Sequence, residues 1–500
     1  MVSPRIILIA TLLALPVSGA RADTYVVTDT NGHTLLWAIT NANTHAGPDS
    51  IHFNLPGAGT HSFTSSYSNP LGLADDETVL DGYTQPGSSP NSGKLGQPWN
   101  AIIKIALVAN VPCEEASFGY FPALSVGGDR CVVRGILISD AFCQDIEVDG
   151  EDNVIEGCAF GSASPAIVVG GIRNRIGGTT PAARNVVVGN YDEGIHLGGR
   201  DARVEGNYIG IGASLGAAPN GRGIVVFGTG AIIGGHPTSP CTLPASANII
   251  AYNKQHGISV VGDGSGCSIL SNIIHSNGGL GIDLGGNGPT SNDQLDADGG
   301  ANHSQNYPFI TGHDNHAIYG SLDSAPNQTY AIQVFDNSSC DPIAGEGKIL
   351  YGEQQVTTNG NGVAGFTVIC APIRAGRFYT ATATDENGNT SEFSPCYTPT
   401  ATAVGDTPTP FALHDNIPNP FNPATTLFYE VGAPGRVDLV IYDAAGHRVR
   451  TLVSEHRNIG SWRAEWNGRD DSGKRVASGV YFCKMNAGGF ESTRKMVLLK

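Results

Sequence analysis

Charge, methionine and long apolar runs are all scarce in this chain. Only 15% of its 500 residues are charged, and 3 are Met. Few strong helix formers recur at helical spacing, which disfavours an α-helical architecture. The longest apolar run, residues 6–17, falls short of the roughly 20 residues that cross a bilayer as a helix. No transmembrane span is therefore expected. The 10 Cys never show the paired C-x-x-C spacing of a zinc site. Basic residues are the rarer charge: residues 23–410 carry 14 Lys and Arg against 36 Asp and Glu. Such an acidic body repels phosphate and excludes nucleic acid as a partner.

What is plentiful points to β-structure. The 67 Gly, with abundant Asn, Thr and Ser, favour a β-rich solenoid or sandwich, and the length suits about three domains. Arg5, the apolar run and Ala20-Arg21-Ala22 together read as an export signal cleaved near Ala22. The mature chain is then secreted or held at the cell surface, where disulfides form. Cys131 and Cys158, and likewise Cys241 and Cys267, are spaced near one solenoid turn, so each pair could meet between coils. Among Cys340, Cys370 and Cys396 only two can pair with each other.

An internal repeat is the strongest signal. NVVVGNYDEGIHLGG (185–199), NIIAYNKQHGISVVG (248–262) and NIIHSNGGLGIDLGG (272–286) share one pattern. It reads N-[IV]-[IV]-x-x-N-x-x-x-G-I-x-[LV]-x-G, and the last two copies are offset by one plausible coil of a parallel β-helix. Alternation sends Ile195, Ile258 and Ile282 inward, with Leu197, Val260 and Leu284. Asn185, Asn248 and Asn272 are expected to stack, each amide bonding the next coil. The alternate positions His196, Ser259 and Asp283 form an outward column, the candidate ligand face. Loops should protrude at 177–183, 213–222 and 234–244. Thr34 can cap a short helix whose Leu35, Ala38, Ile39 and Ala42 share one face, covering the first rung.

These phrases resemble a known family. TLLWAITNANTHAGPDSIHFNLPG, TVLDGYTQPG, NRIGG, GNYIG and GLGIDLGGNG are similar to segments of large secreted bacterial β-helix proteins. The resemblance implies a pectin-lyase-like, right-handed parallel β-helix over residues 23–304. Residues 305–398, with FTVICAP and FYTATATDENGNTSEFSPC, resemble the Ig-like sandwich that often follows such helices. A Pro/Thr-rich linker, 399–410, comes next. In residues 411–500, NIPNPFNPATTLFYEV, RVDLVIYDAAGHRVRTL and WRAEWNGRDDSGKRVASGVYF resemble a C-terminal FlgD-like Ig sandwich. Similar tails act as type IX secretion sorting domains, which implies outer-membrane secretion machinery as a partner. Within the tail, Val437, Leu439 and Ile441 alternate toward one face, as do Trp462, Ala464 and Trp466.

Two functional readings follow. The first is an exported, non-enzymatic surface protein that presents the β-helix for adhesion or for binding a polysaccharide. The second is a polysaccharide lyase or glycoside hydrolase acting from the outer face, with paired carboxylates. No N-T-D, G-H-G or R-x-P-x-x-R phrase of such enzymes occurs, and no G-x-S-x-G elbow. No cofactor is required by either reading. One loop has the composition of a calcium site: Asp293, Asp296 and Asp298 stand beside Asn292 and Asn302. Its alternative is a polar connector that caps the last rung.

Overall fold

The computed structural model describes residues 22–29, 34–66, 69–109, 121–139, 144–340, 345–374, 376–399, 411–414, 416, 419–431, 435–457 and 460–499. Residues 1–21 of the expected export signal and nearly all of the expected linker lie outside the described residues, as do Cys113 and Cys143. The chain divides into two compact units, Met1–Pro399 and Thr400–Lys500.

Short β-branched runs punctuated by Gly and Asn produce short strands, and in the first unit these fall into three parallel sheets of 9, 8 and 8 strands. One coil visits each sheet once. Val154–Glu156 lies in the first, Ala159–Gly161 in the second and Ile167–Val169 in the third, and Arg175–Gly177 then restarts the first. This is a parallel β-helix. Inward residues stack in register: Ile167, Ile195, Ile224, Ile258 and Ile282 form one column in the third sheet. All are buried, and each such side chain stabilises the fold by about 1.5–3 kcal/mol relative to exposure.

The polar letters of the repeat serve the corners. Asn185 donates to Asn207 (3.0 Å), Asn207 to Asn248 (3.0 Å) and Asn248 to Asn272 (2.9 Å). Asn207 fills the gap between two repeats, because the coil from Asn207 to Asn248 is 41 residues long and that from Asn248 to Asn272 is 24. A second ladder runs Asn190–Asn220–Asn253–Asn277. Buried amides can be left in an apolar solenoid only because each finds its partner one coil away. The repeated Gly before Ile is required by close approach. A Cβ at Gly257 would stand 2.8 Å from the Gly281 carbonyl oxygen and 3.0 Å from the Asn277 amide.

Both ends of the solenoid are covered. Helix Leu35–Ala42 starts with Thr34 accepting the Trp37 N–H, and Leu35, Ala38, Ile39 and Ala42 are its buried residues. At the other end the antiparallel sandwich that follows takes the place of the next coil. Phe335, Leu350 and Phe393 of the sandwich belong to the β-helix core, and a Cβ at Gly281 would meet the Phe393 ring at 2.9 Å. Its polar side chains take up the donors of the last rung. Thr390 accepts from Ile269 N–H (2.9 Å), Gln333 from Ser271 N–H (2.8 Å), Glu346 from Asn277 N–H (2.9 Å) and Glu392 from Leu284 N–H (3.0 Å). An open sheet edge would otherwise invite pairing with other chains.

The cysteines depart from expectation. Cys131, Cys158 and Cys267 are buried free thiols, while Cys241 pairs with Cys370 and Cys340 with Cys396. The reason is local coil length. Cys131 meets Asn153, 22 residues on, so Cys158 overshoots one turn and belongs to the next side of the coil. Cys241 sits on the protruding 234–244 loop, which reaches the sandwich rather than the neighbouring rung.

The second unit is a sandwich of its own. A three-stranded sheet (Ala412–Leu413, Thr425–Val431, Gly460–Trp466) faces a four-stranded one (Arg448–Arg457, Gly435–Asp443, Gly479–Ala487, Phe490–Leu498). Val437, Leu439, Ile441 and Trp466 are fully buried in its core, and Trp462 and Ala464 pack against it.

Candidate functional site

One of the three outer faces of the β-helix is covered by another segment of the chain. Residues 83–104 strap across the second sheet: Leu95 and Trp99 pack around Tyr208, whose hydroxyl accepts the Gly96 N–H (2.9 Å). The first sheet carries cross-coil ion pairs, Arg134–Asp81 and Arg175–Glu156. The third face holds the outward column, in the register Glu147, Val168, His196, Val225, Ser259, Asp283.

His196 sits at the surface of that face, with 28% of its side chain exposed. Its Nδ1 lies 2.6 Å from Glu193, and Glu193 in turn accepts from Arg222 at 2.8 Å. Arg222 also donates to Asp192 at 3.0 Å. A carboxylate can only accept, so the ring nitrogen that faces Glu193 carries a proton. Phe227 stacks on the imidazole with ring centroids 4.9 Å apart and is itself half exposed. Tyr191, on the turn that leads into the strand Glu193–Leu197, is 74% exposed. The belt thus offers aromatic faces and hydrogen-bonding groups on a rigid sheet.

The same column is buried at its far end. Ser259 and Asp283 are 1% and 0% exposed, so they do not lie on an accessible ligand face. The physical cause is the turn after Leu284. It folds back so that the Gly288 N–H reaches Asp283 (3.2 Å) and the Thr290 hydroxyl reaches the Leu284 carbonyl (3.3 Å). His256 Nδ1 accepts the Leu280 N–H (3.0 Å), and its Nε2 approaches Asp283 at 3.4 Å without hydrogen-bond alignment. The Ser259 hydroxyl has no hydrogen-bond partner among the described residues. Ser259, His256 and Asp283 therefore do not form a nucleophile relay, which needs a serine bonded to a base with a free nitrogen. Nor do Asp192 and Glu193 make a free acid–base pair, since Arg222 and His196 hold them.

The buried end titrates instead. Burial pushes Glu392 up to about 7, against the hydrogen bonds from Leu284 and Thr290 that favour its charge, and nearby Asp283 pushes the same way. Burial raises Asp283 as well, with His256 opposing. A carboxyl raised in the folded state contributes stability that is complete below its unfolded value and is lost as pH rises through the folded one. Between pH 4.5 and about 7 the loss from Glu392 is on the order of 3 kcal/mol. The first unit should therefore melt at higher temperature at pH 5 than at pH 8. Glu392→Gln should flatten that slope in calorimetry, and an unchanged slope would count against Glu392 as its source.

Asp293, Asp296 and Asp298 do come together, with ligand atoms within 4.8 Å of one another. Two of them have local work. Asp293 accepts the Ala297 N–H, and Asp296 accepts the Asn306 N–H (2.9 Å) and the Ser324 hydroxyl (2.6 Å). Asn292 bonds Tyr307, and Asn302 bonds both main-chain groups of Cys267. These are the contacts of a polar connector that closes the last rung. Burial and mutual repulsion raise Asp296 and Asp298.

Comparison with known proteins adds information on the second unit. The FlgD Ig-like domain family matches residues 431–489. The chain carries a FlgD Ig-like domain at its C-terminus. No curated protein matches the chain. Among solved structures it is similar to PorZ, an essential surface component of the type-IX secretion system of Porphyromonas gingivalis. The identity is 21%, with a TM-score of 0.14, over 24% of this chain and 15% of PorZ. Dimeric latent PorU from Porphyromonas gingivalis matches at 14% identity and TM-score 0.18, over 39% of this chain and 20% of PorU. The tailspike gp49 of Acinetobacter baumannii bacteriophage Fri1, a capsular polysaccharide depolymerase, matches at 9% identity and TM-score 0.18, over 75% of this chain and 85% of gp49. The chain thus spans a fifth or less of the length of PorZ and PorU, and at these TM-scores none of the three bears on its function. In the FlgD Ig-like domain Asp470 accepts the Ser472 and Lys474 N–H groups, which fixes the turn at Asp471-Ser-Gly473. Among the described residues no helix is long and apolar enough to cross a membrane.

Reading the outward column alone overlooked Glu193, Arg222, His256, Tyr191 and Phe227. A signal for three of them was present: the variable position before Gly-Ile holds Glu193, Arg222 and His256 in successive coils. That row stands beside the outward column at the edge of the sheet.

Proposed function

We propose that the protein is exported and binds a saccharide on the third face of its β-helix, with the FlgD Ig-like domain serving delivery to the cell surface. The observation that carries the reading is the half-exposed ring of Phe227 stacked on a hydrogen-bonding group, His196, that Glu193 and Arg222 hold in place, with exposed Tyr191 on the turn that leads into the same strand. Aromatic faces stack on the C–H faces of sugars, and a pre-ordered polar group loses little entropy on binding. The carboxylates nearest His196 are tied in ion pairs, which supports binding rather than bond cleavage. The outer-membrane secretion machinery is the partner for the tail.

Affinity electrophoresis through gels containing soluble polysaccharides tests the saccharide reading. The unsubstituted protein should be retarded by at least one polymer. Tyr191→Ala with Phe227→Ala should weaken that binding about tenfold or more, at roughly 1 kcal/mol per aromatic contact, without moving the melting temperature. Retardation that the double variant leaves untouched would move the site elsewhere.

A further inference from the structure

Beside the last two strands of the first sheet, the sandwich stands off the β-helix and leaves a cleft. Register puts Thr329, Ala331 and Gln333 on one face of the strand Thr329–Asn337, with Gln355 and Thr384 flanking Ala331 and Glu353 beside Gln333. At one end that face is closed. Gln333 accepts the Ser271 N–H (2.8 Å) and donates to the Ser271 hydroxyl (2.8 Å) and to Glu353 (2.7 Å). At the next level Ala331 and Thr384 offer only short side chains, and between them and Ile232 and Ser268 a cavity of about 380 Å³ remains. Its walls are pinned. The turn Asp385–Asn389 is tied down by Asn389, which accepts the Gly266 N–H (2.7 Å), and by Ser268, which donates to the Gly388 carbonyl (3.3 Å). The loop that carries His236 is held by the disulfide Cys241–Cys370 and by the Glu353 N–H donating to the Pro240 carbonyl (2.9 Å).

The lining decides what fits. Concave sites between two parts of a chain, with an apolar floor and a few placed polar groups, are where small molecules bind. Here Ile232 and Ala331 supply the floor, and Gln355, Asn387 and His236 the polar groups. His236 Nδ1 lies 3.2 Å from both Glu353 oxygens and carries a proton, since a carboxylate only accepts. Glu353 is 13% exposed and is fixed in turn by fully buried Gln333, so the imidazole is pre-ordered. No Lys or Arg is among the described residues that line the cavity, and any charge on His236 is matched by Glu353, so an anion finds no partner. A cation finds little more, because Asp385 is spent on the N–H groups of Asn387 (2.9 Å) and Asn389 (2.7 Å), which leaves only exposed Glu386. No Phe, Tyr or Trp lines the cavity to stack on a flat heterocycle. Amide and imidazole groups over an aliphatic floor suit a sugar ring, whose hydroxyls both donate and accept.

We propose that this cleft binds a neutral sugar residue, with its C–H face on Ile232 and Ala331 and its hydroxyls on Gln355, Asn387 and His236. The site is separate from the third face and does not rest on Tyr191 and Phe227.

Imidazole NMR of the full exported chain reads the two sites separately, with signals assigned by His236→Gln and His196→Gln. At least one of maltose, cellobiose and lactose should shift the His236 signal, and digalacturonate should not. Gln355→Ala, at an exposed position, should weaken that response about fivefold, the worth of one hydrogen bond, with the melting temperature unchanged. Thr329→Trp, at a half-buried position in the lining, should fill the cavity and abolish the response. A response confined to His196 would place the sugars on the third face and overturn the cleft. So would a His236 shift that both variants leave untouched, or silence at His236 with every neutral probe. A digalacturonate response as strong as theirs would overturn the neutral class.

Discussion

Ile282→Asp should unfold the last coils of the β-helix and lower the stability of the first unit by about 4 kcal/mol or more. Ile282 stacks on Ile258 in the third sheet and is 2% exposed. Its strand is no fraying end. Leu284, in the same strand, donates its N–H to Glu392, and Gly281 just before it packs on Phe393. An aspartate there would be charged in an aliphatic column with no cation to meet it. Protonation would remove the charge but leave a carboxyl without hydrogen-bond partners. Because the sandwich rests on this rung, the damage should reach both parts of the unit. A lowered melting temperature and new proteolysis near residues 280–290 are the expected readouts. Unchanged melting and protease resistance would mean that Ile282 does not point into the column.

Deleting residues 411–500 should abolish delivery to the cell surface or medium and leave the remaining chain folded inside the cell envelope. The FlgD Ig-like domain has its own buried core around Trp466, Tyr429 and Met485, and the chain separates there into two compact units. The β-helix and the first sandwich form the other unit, so their stability should survive the cut. The measurement is the distribution of the truncated protein between periplasm, outer surface and medium, with melting of the purified fragment as the control for folding. Normal surface yield from the truncated chain would remove the delivery role from the tail. Loss of both yield and melting would assign the tail a structural role instead.

Much of this architecture was legible beforehand, because stacking imposes a periodic demand that sequence must repeat. Ile195, Ile258 and Ile282 alternate with polar residues in every copy of the motif, and each faces the core. Asn185, Asn248 and Asn272 recur because a buried amide needs an identical neighbour one coil away. The cap helix was equally plain, since Thr34 and the spacing of Leu35, Ala38, Ile39 and Ala42 are local signals. The partners of the cysteines were not legible. Coils of 22 and 41 residues defeat any fixed offset, and Cys241 is bridged to a residue 129 positions away.

The candidate site divides in the same way. Sequence by itself determined which side chains point outward, because alternation along a strand is set by backbone geometry alone. It placed His196, Ser259 and Asp283 in one column, and the register agrees. Only the tertiary structure decided which of them solvent can reach. Burial of an outward residue depends on what folds across it, here the turn after Leu284, and no period in the chain encodes that. The tertiary structure likewise brought Glu193, Arg222 and Phe227 to His196 from neighbouring positions and coils, and made the sandwich a substitute for the missing rung. Such contacts form between segments far apart in sequence. Their geometry is fixed by coil lengths and loop paths that only the folded chain reveals.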